Sequence, residues 1–120
     1  MLKVLAFFRK HPDLTFEEFK EKYETGYAPL AQPYVSEAKK YFRRYFEPMP
    51  PASEGARQAF DFDVMTEMWF ESQEDYDAMF KRLHEGEVQQ LLLKEQKKLF
   101  ANLEELPIIL VTDERGTGAS

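Results

Sequence analysis

Residues 2–30 read LKVLAFFRKHPDLTFEEFKEKYETGYAPL, and this stretch decides the fold. Its first part, residues 2–8, is an apolar run of strand length, which is typical of a strand covered on both faces. Thr15 and Glu18 then have the spacing of a capping box and predict where a helix begins. The rings of that helix recur at helical spacing and predict one aromatic face. They are Phe16, Phe19, Tyr23 and Tyr27.

The rest of the chain predicts a mixed α+β fold. Gly26 and Pro29 predict an irregular end to the first helix, and residues 48–58, rich in Pro, Ser, Gly and Ala, predict a long loop. The further predicted elements are a strand at 39–47, a strand at 59–71, a helix that begins after Ser72, a helix at 88–102 and a strand at 106–112. The order βαββααβ indicates a ferredoxin-like fold, in which a four-stranded antiparallel sheet carries its helices on one face. Right-handed crossovers place the first and third strands at the centre of the sheet.

Length and composition exclude several classes of protein. The 120 residues fit one domain, which we place at residues 1–112, followed by a flexible polar tail at 113–120. The net charge of −6, from 16 basic and 22 acidic residues, argues against nucleic acid and anionic membrane partners. The sequence has no cysteine and two histidines, so we expect no metal site and a reducing, cytoplasmic environment. No stretch approaches the length of a membrane span.

The sheet face that the helices leave open predicts a contact with a second copy of the chain. Within the strand at 59–71, Asp63, Met65, Glu67 and Trp69 share one face. An exposed, half-apolar sheet face is a typical association site. We therefore expect a homodimer in which two sheets stack through an isologous contact. The aromatic content of 15% fits such an interface or a flat apolar ligand.

Two segments resemble the EthD family of the dimeric α+β barrel superfamily. The first is residues 1–34, MLKVLAFFRKHPDLTFEEFKEKYETGYAPLAQPY, where the family has (S/T)-x-E-E-F at the start of a helix that ends in H-A-P-L. The second is residues 60–80, FDFDVMTEMWFESQEDYDAMF, which is similar to the family's D-x-x-x-E-x-W-F passage from strand to helix. The resemblance covers roughly residues 1–110. It is specific for the fold and not for the reaction, because the superfamily hosts many chemistries.

The resemblance implies a homodimer, a ligand cavity between sheet and helices, and catalysis without a bound cofactor in many relatives. Some relatives decarboxylate anthrone-type carboxylic acids, and others dehydrate or cyclise aromatic polyketides or assist ether degradation. We therefore expect a cofactor-independent lyase, a decarboxylase or a dehydratase/cyclase, that acts on an aromatic or polyketide-derived small molecule by general acid/base catalysis. A non-catalytic binder or accessory protein for a flat hydrophobic ligand and a cofactorless monooxygenase are the alternatives.

Tyr27 stands where the family has the histidine of H-A-P-L. As a catalytic group it would place a phenol at the mouth of the cavity, although a phenol ordinarily ionises near pH 10 rather than near 6.5. Its alternative role is that of a core tyrosine with a backbone hydrogen bond. Tyr23, one turn earlier on the same face, either lines the same cavity or packs in the core.

Glu67, His84 and Asp63 are further candidates for acid/base chemistry or substrate binding. Glu67 matches the glutamate of the family's strand passage, and we consider it an orienting carboxylate for catalysis. His84, near a helix end, either interacts with the helix dipole or faces the cavity as the general base. Asp63 shares the strand face of Glu67 and either binds substrate or pairs with an arginine of the neighbouring strand.

Arginines and rings complete the predicted substrate site. Arg43 and Arg44 alternate faces, so one of them points inward and could anchor a substrate carboxylate, a role that we give to Arg44. Edge protection and pairing with nearby carboxylates are the alternative for both. Trp69 and Phe19 either line a flat aromatic pocket or pack in the core. His11, in the turn after the first strand, is expected to be exposed to solvent.

Overall fold

One antiparallel sheet runs through the computed structural model, which describes residues 1–47 and 61–118. Its strands are β1 (Leu2–Phe8), β2 (Lys40–Tyr45), β3 (Val64–Phe70) and β4 (Ile108–Leu110). They lie in the order β2–β3–β1–β4, so the first and third strands occupy the centre as predicted. This is the ferredoxin-like arrangement, and the α+β prediction is confirmed.

Helices and short helical turns join these strands. They are α1 (Phe16–Lys22), α2 (Ala28–Ala31), α3 (Gln73–Leu83) and α4 (Gly86–Leu99), with 3₁₀ turns at Gln32–Tyr34 and Leu103–Glu105. The predicted capping box begins α1: Thr15 Oγ1 accepts from the Glu18 N–H at 3.1 Å, and Glu18 Oε1 accepts from the Thr15 N–H at 2.9 Å. These bonds satisfy N–H groups that a helix start leaves unpaired. Within the described ranges, no helix is long and apolar enough to cross a membrane.

A π-helical turn over Tyr23–Tyr27 connects α1 to α2. It lies where Gly26 and Pro29 predict an irregular helix end. A π-turn accommodates an extra residue in a helix, and such turns are frequent at functional sites. Here Tyr23 and Tyr27 are both buried, and their ring centroids lie 5.6 Å apart in an edge-to-face arrangement.

The third strand begins later than predicted. β3 starts at Val64 and not at residue 59; residues 59 and 60 and the predicted loop at 48–58 lie outside the described residues. Backbone pairing continues one residue before β3, because the Asp63 N–H donates to the Phe8 carbonyl at 2.9 Å. Strand ends defined by regular pairing commonly shift by one or two residues for this reason.

The bounds of the last helix and of the last strand also differ from those that the sequence pattern predicts. α4 ends at Leu99 and not at residue 102, because Phe100 takes an extended backbone, with φ −115° and ψ 140°, and bridges to Lys10. β4 covers three residues instead of 106–112. Pro107 has no N–H to donate, although its carbonyl accepts from the Phe7 N–H at 3.1 Å.

The two faces of the sheet carry different side chains. The cross-strand pairs Ala6–Thr66 and Leu5–Glu67 fix which residues share a face, because side chains alternate along each strand. The inner face, toward the helices, carries Leu2, Val4, Ala6, Phe8, Val64, Thr66, Met68 and Phe70 from the central strands. The open face carries Lys3, Leu5, Phe7, Met65, Glu67 and Trp69, with Phe42 and Arg44 of β2 and Ile109 of β4.

The core lies between the inner face and the helices. Phe19, Tyr23 and Phe70 are among its most buried side chains, each at most 1% exposed. Rings meet edge to face: Phe19 packs on Tyr45 and Phe100 with centroid distances of 6.1 and 5.9 Å. Each such ring pair contributes about 0.5–1.5 kcal/mol beyond the burial of its area. The predicted aromatic face of α1 is therefore a core face.

Candidate functional site

A cavity of about 290 Å³ lies between the inner face and the helices. Its walls are mostly apolar, with Val4, Met68 and Phe70 on the sheet and Met79 and Leu93 on the helices. Sites for small molecules are typically apolar concavities of roughly 300–1,000 Å³ that contain a few polar groups. The polar groups of this cavity therefore decide what it can bind and what chemistry it can support.

The first polar pair in the cavity joins two phenols. Tyr23, on the π-turn, and Tyr41, on β2, place their hydroxyl oxygens 2.7 Å apart. Both side chains line the cavity, and burial raises the pKa of each phenol. Both phenols are therefore protonated at neutral pH and act as hydrogen-bonding groups rather than as bases.

A charged network holds Tyr41 from behind. The Arg43 guanidinium lies over the Tyr41 ring, 4.8 Å from its centroid. Arg43 donates two hydrogen bonds to the Glu24 carboxylate, at 2.6 and 2.8 Å, and the Tyr45 hydroxyl donates to the same group at 2.6 Å. Hydrogen bonding by Arg43 holds the pKa of Glu24 below its usual value. The inward arginine of β2 is therefore Arg43, and its charge is already paired.

The second polar pair joins α4 to the π-turn. The Gln96 side-chain amide donates to the Tyr27 hydroxyl at 2.5 Å. Tyr27 is 9% exposed and lies in the cavity wall, not at its mouth as we expected, because the π-turn carries it inward. Burial raises the pKa of Tyr27 to about 12, and the Gln96 hydrogen bond opposes part of that shift. Tyr27 therefore keeps its proton at neutral pH.

The mouth of the cavity is marked by lining residues that are also exposed, namely Phe80, His84 and Ile108. The His84 ring stacks on the Phe80 ring with centroids 4.0 Å apart. His84 Nδ1 lies 2.8 Å from the Phe80 carbonyl oxygen. Because a carbonyl oxygen only accepts, Nδ1 carries the proton, and Nε2 is the basic nitrogen of the neutral imidazole.

Charged side chains do not line this cavity in residues 1–47 and 61–118. In the same ranges, no group of three or more His, Asp or Glu residues is arranged to hold a metal ion. Histidine is the side-chain type that most readily changes charge near neutral pH. Among the described lining residues, His84 is therefore the group best suited to exchange a proton with a bound molecule.

Three predicted site residues lie on the open face instead. Glu67 accepts hydrogen bonds from the Arg44 guanidinium at 2.8 Å and from Trp69 Nε1 at 2.6 Å. Alternation along β3 places Glu67 and Trp69 opposite to Thr66 and Met68, which line the cavity. The sheet therefore separates Glu67, Arg44 and Trp69 from Tyr27 and His84. This corrects the expectation that these groups share one site.

Phe19, Asp63 and His11 also lie away from the cavity lining. Phe19 is fully buried among core rings. Asp63 does not pair with an arginine of β2; its carboxylate accepts from the Lys10 backbone N–H at 2.8 Å. The His11 side chain is 32% exposed rather than open to solvent, and its Nδ1 accepts from the Asp13 N–H at 3.1 Å. The cavity thus brings together Tyr23, Tyr27 and His84 from the predicted site.

Sequence reasoning missed two polar partners, Tyr41 and Gln96. The alternation along β2 contained the signal for Tyr41, since its neighbours two residues away share its face. Gln96 lies four residues after Leu92 and three before Leu99, both buried on α4. An amide within an apolar helical stripe indicates a buried polar partner, and here that partner is Tyr27.

Several solved structures share this fold over nearly their whole length. An EthD family protein from Bacillus halodurans has a TM-score of 0.61 at 17% identity, covering 95% of this chain and 99% of that one. A dimeric ferredoxin-like protein of unknown function from Thermobifida fusca has a TM-score of 0.57 at 14% identity, with 92% and 88% covered. A dimeric protein of ferredoxin-like fold from Bacteroides fragilis has a TM-score of 0.54 at 11% identity, with 92% and 93% covered. At these identities the similarity shows the fold alone.

No curated protein sequence matches this chain significantly. The sequence profile of the EthD domain, however, matches residues 11–101. That range contains the capping box of α1, the π-turn, the strand β3 and the helices that close the cavity. The matched range is most of the chain, and the fold agrees with it. This protein therefore belongs to the EthD domain family.

Proposed function

We propose that this protein is a cofactor-independent lyase, a decarboxylase or a dehydratase/cyclase, that holds a small aromatic or polyketide-derived molecule in the cavity. One observation carries the proposal: protonated phenols lie inside an apolar cavity that has an imidazole at its mouth. Decarboxylation and dehydration need proton transfer and stabilisation of an enolate-like charge. The phenols and the imidazole are groups that can supply both.

Tyr27 and His84 take different roles in this proposal. In a decarboxylation, the bond to the carboxylate breaks, carbon dioxide leaves, and the electron pair moves toward a carbonyl or ring oxygen. Tyr27 donates a hydrogen bond to that oxygen, and His84 Nε2 takes up a proton from water at the cavity mouth and delivers it to carbon. In a dehydration, His84 Nε2 removes the proton from carbon and then donates it to the departing hydroxyl group, which leaves as water while the C=C bond forms. The apolar walls strengthen these interactions because they exclude water.

A non-catalytic binder is the second candidate. It is favoured by the neutral interior of the cavity, whose described lining contains no Asp, Glu, Lys or Arg. A carrier or sensor for a flat hydrophobic molecule needs only apolar walls and a few hydrogen-bonding groups. A cofactorless monooxygenase would use the same cavity, and the experiment below separates the three functions.

We also propose that two copies assemble through their open faces. That face carries apolar side chains, of which Phe42 is 36% and Ile109 48% exposed. Two of the similar structures are described as dimeric. An isologous contact that stacks the sheets would cover Phe42 and Ile109 in both copies.

The cysteine-free composition favours a reducing compartment, and we propose that the protein is located in the cytoplasm.

A mass-resolved turnover assay tests the proposed function. Purified protein, without added metal or cofactor, is incubated with carboxylated and hydroxylated one-ring and two-ring aromatics, under air and under argon, beside a boiled control. Loss of carbon dioxide or water in both atmospheres supports the lyase. A product that forms only under air indicates a monooxygenase. Retention of the ligand through gel filtration without any product indicates the binder.

Two substitutions connect turnover to the cavity. Tyr27→Phe removes one hydroxyl, and we expect turnover to fall more than tenfold while the far-ultraviolet circular dichroism stays unchanged. His84→Gln removes the proton-exchanging group, and we expect a fall of about a hundredfold or more. His11→Gln is the matched control, because His11 lies away from the cavity lining, and it should retain full turnover. Full turnover in both cavity variants would refute these roles.

A further inference from the structure

We propose that the cavity selects ligands with an oxygen acceptor, such as a ketone or carboxylate, on a one-ring or two-ring aromatic body, and binds that oxygen at a two-pair donor site. We define the donor site as the pairs Tyr27–Gln96 and Tyr23–Tyr41. The proposal rests on the proposed function in one respect: it takes the cavity to be the ligand site. It goes beyond that function by naming the feature of the ligand that the cavity recognises.

The Tyr27–Gln96 pair has a hydrogen-bond donor that is not used within the protein. One bond, at 2.5 Å, joins the Gln96 amide to the Tyr27 hydroxyl, and neither side chain bonds to any other described residue. With the amide nitrogen as donor, the phenol proton remains unused. With the amide turned over, the phenol donates to the amide oxygen and both amide hydrogens remain unused. Either arrangement leaves at least one N–H or O–H donor in the cavity wall.

The Tyr23–Tyr41 pair also has a donor to spare. Its two hydroxyl groups hold two protons, and the bond between them, at 2.7 Å, uses one. Arg43 also interacts with the Tyr41 hydroxyl, and because a guanidinium can only donate, this interaction uses no phenol proton. The second proton is therefore available to a ligand, whichever phenol is the donor within the pair.

The two pairs are adjacent and lie in an apolar setting. The Tyr23 and Tyr27 rings are in edge-to-face contact, and both tyrosines line the cavity. Each hydroxyl takes part in one hydrogen bond, and each pair still holds an unused donor hydrogen. In an apolar cavity, an acceptor oxygen that reaches this hydrogen gains more than it would in water. The described lining has no cationic side chain, and Arg43, which lies behind Tyr41, is paired with Glu24. Hydroxyl and amide donors in such a setting suit a carbonyl or carboxylate oxygen.

The volume of the cavity limits the aromatic body of the ligand. An apolar cavity of about 150 Å³ in a protein core accommodates one benzene molecule. The 290 Å³ found here is about twice that volume, which corresponds to one or two rings and a short substituent. The exposed mouth beside Phe80 and His84 gives a ligand a way in, with its oxygen end toward the donor site.

A pair of matched ligands tests the donor site independently of turnover. 2-Acetylnaphthalene carries a ketone oxygen, whereas 2-ethylnaphthalene has a similar shape without an acceptor. Affinities for both are measured by quenching of protein fluorescence, for the natural chain and for the double variant Tyr27→Phe/Gln96→Leu. We expect the double variant to bind the ketone about tenfold more weakly, the usual size of one hydrogen bond, and to bind the hydrocarbon at least as well as before. Tyr34→Phe, outside the lining, should change neither affinity.

The infrared carbonyl stretch of bound 2-acetylnaphthalene gives a second readout that needs no variant. In the natural chain we expect this band below its frequency in an alkane solvent, because a hydrogen bond weakens the C=O bond. An unshifted band, or equal loss of affinity for both ligands in the double variant, would overturn the donor site while leaving the cavity as a ligand site. Failure of both ligands to bind the natural chain would overturn the donor site and the ligand cavity together. Absence of turnover on any substrate, with the ketone preference intact, would overturn only the proposed lyase.

Discussion

The two faces of the sheet are built from the same strands but have opposite chemistry. On β3, Thr66 and Met68 face the cavity, whereas Glu67 and Trp69 face the other way. The described lining of the cavity has no carboxylate and no Lys or Arg. The open face instead holds a Glu67–Arg44 ion pair at 2.8 Å. A side chain that faces the buried, uncharged cavity is therefore followed, one residue later on the strand, by one on the open face, which carries both charged and apolar side chains.

This difference explains why charged residues are a poor guide to the cavity in this sequence. Carboxylates and arginines attract attention in a sequence because they perform so much catalytic chemistry. Here Glu67 of the central strand β3 pairs with Arg44 of the edge strand β2 on the open face. The two hydrogen-bonded pairs that line the cavity are formed by neutral phenols and an amide. Such groups rarely stand out from a sequence, since the same residue types are common in ordinary cores.

The strongest test of the comparison introduces the same charge on each face of β3. Thr66 is 5% exposed on the inner face, and its cross-strand neighbour Arg43 is already paired with Glu24, so Thr66→Glu would bury a carboxylate that has to compete for that arginine. We expect the free energy of unfolding to fall by more than about 3 kcal/mol. Urea denaturation, followed by fluorescence at one fixed protein concentration, measures this loss.

Met65→Glu is the control for this substitution. Met65 is the neighbouring residue on the open face and lies opposite Arg44 in the sheet register. A carboxylate there has a cationic neighbour and contact with water, so we expect a loss well below that of Thr66→Glu. Equal losses for the two variants would show that the faces do not differ in the way described.

Alkaline unfolding gives the second test, because the phenols of the cavity lie on the helix side of the sheet. Burial raises the pKa of Tyr27 from 10.0 to about 12, so the folded state holds this proton more tightly than the unfolded chain does. The stabilisation is complete below about pH 10 and is lost as the pH rises to about 12. Two pH units correspond to at most about 2.7 kcal/mol of unfolding free energy for this group.

Urea denaturation at pH 9 and at pH 11.5 measures this dependence. Tyr27→Phe should show a smaller loss between the two pH values than the natural chain, because one of the buried phenols no longer titrates. Trp69→Phe, on the open face, should show the same loss as the natural chain. If Tyr27→Phe loses as much stability as the natural chain between these pH values, burial does not raise the pKa of Tyr27.

Dimerisation provides the third test and the smallest expected effect. Phe42 is exposed on the open face and lies opposite Glu67, so Phe42→Glu would place two carboxylates together there. We expect the dimer dissociation constant to rise at least about tenfold, which is about 1.4 kcal/mol. Analytical ultracentrifugation over a range of concentrations measures it. Leu91→Glu, an equally exposed substitution on α4, should leave the constant unchanged; equal effects of both would exclude the open face as the interface.

Most of the fold could be predicted from local patterns. The apolar run gave β1 with the observed bounds, and the Thr15 capping box placed the start of α1. The order of elements, with the handedness rule, was sufficient to place β1 and β3 at the centre. The ends of the elements were harder to predict than their order. The last helix, for example, ends before Phe100 because Phe100 forms a β-bridge with Lys10, which is distant in sequence.

The site could be predicted only in part. Tyr23 and Tyr27 were found from helical spacing, Tyr27 also from the resemblance to the EthD family, and His84 from its place at a helix end. Their partners Tyr41 and Gln96 lie 18 and 69 residues away from them along the chain. No periodicity within one element encodes such a pairing, because it depends on how elements pack.

The sequence by itself determined the element order, the topology of the sheet and the presence of a buried aromatic face. These follow from short-range physics: capping, hydrophobic periodicity and the handedness of connections. Only the tertiary structure decided which face of β3 meets the cavity and which arginine of β2 points inward. It also decided which groups pair with the phenols. The physical reason is that strand alternation defines two faces without saying which one the helices cover, and a single-residue change of register exchanges them.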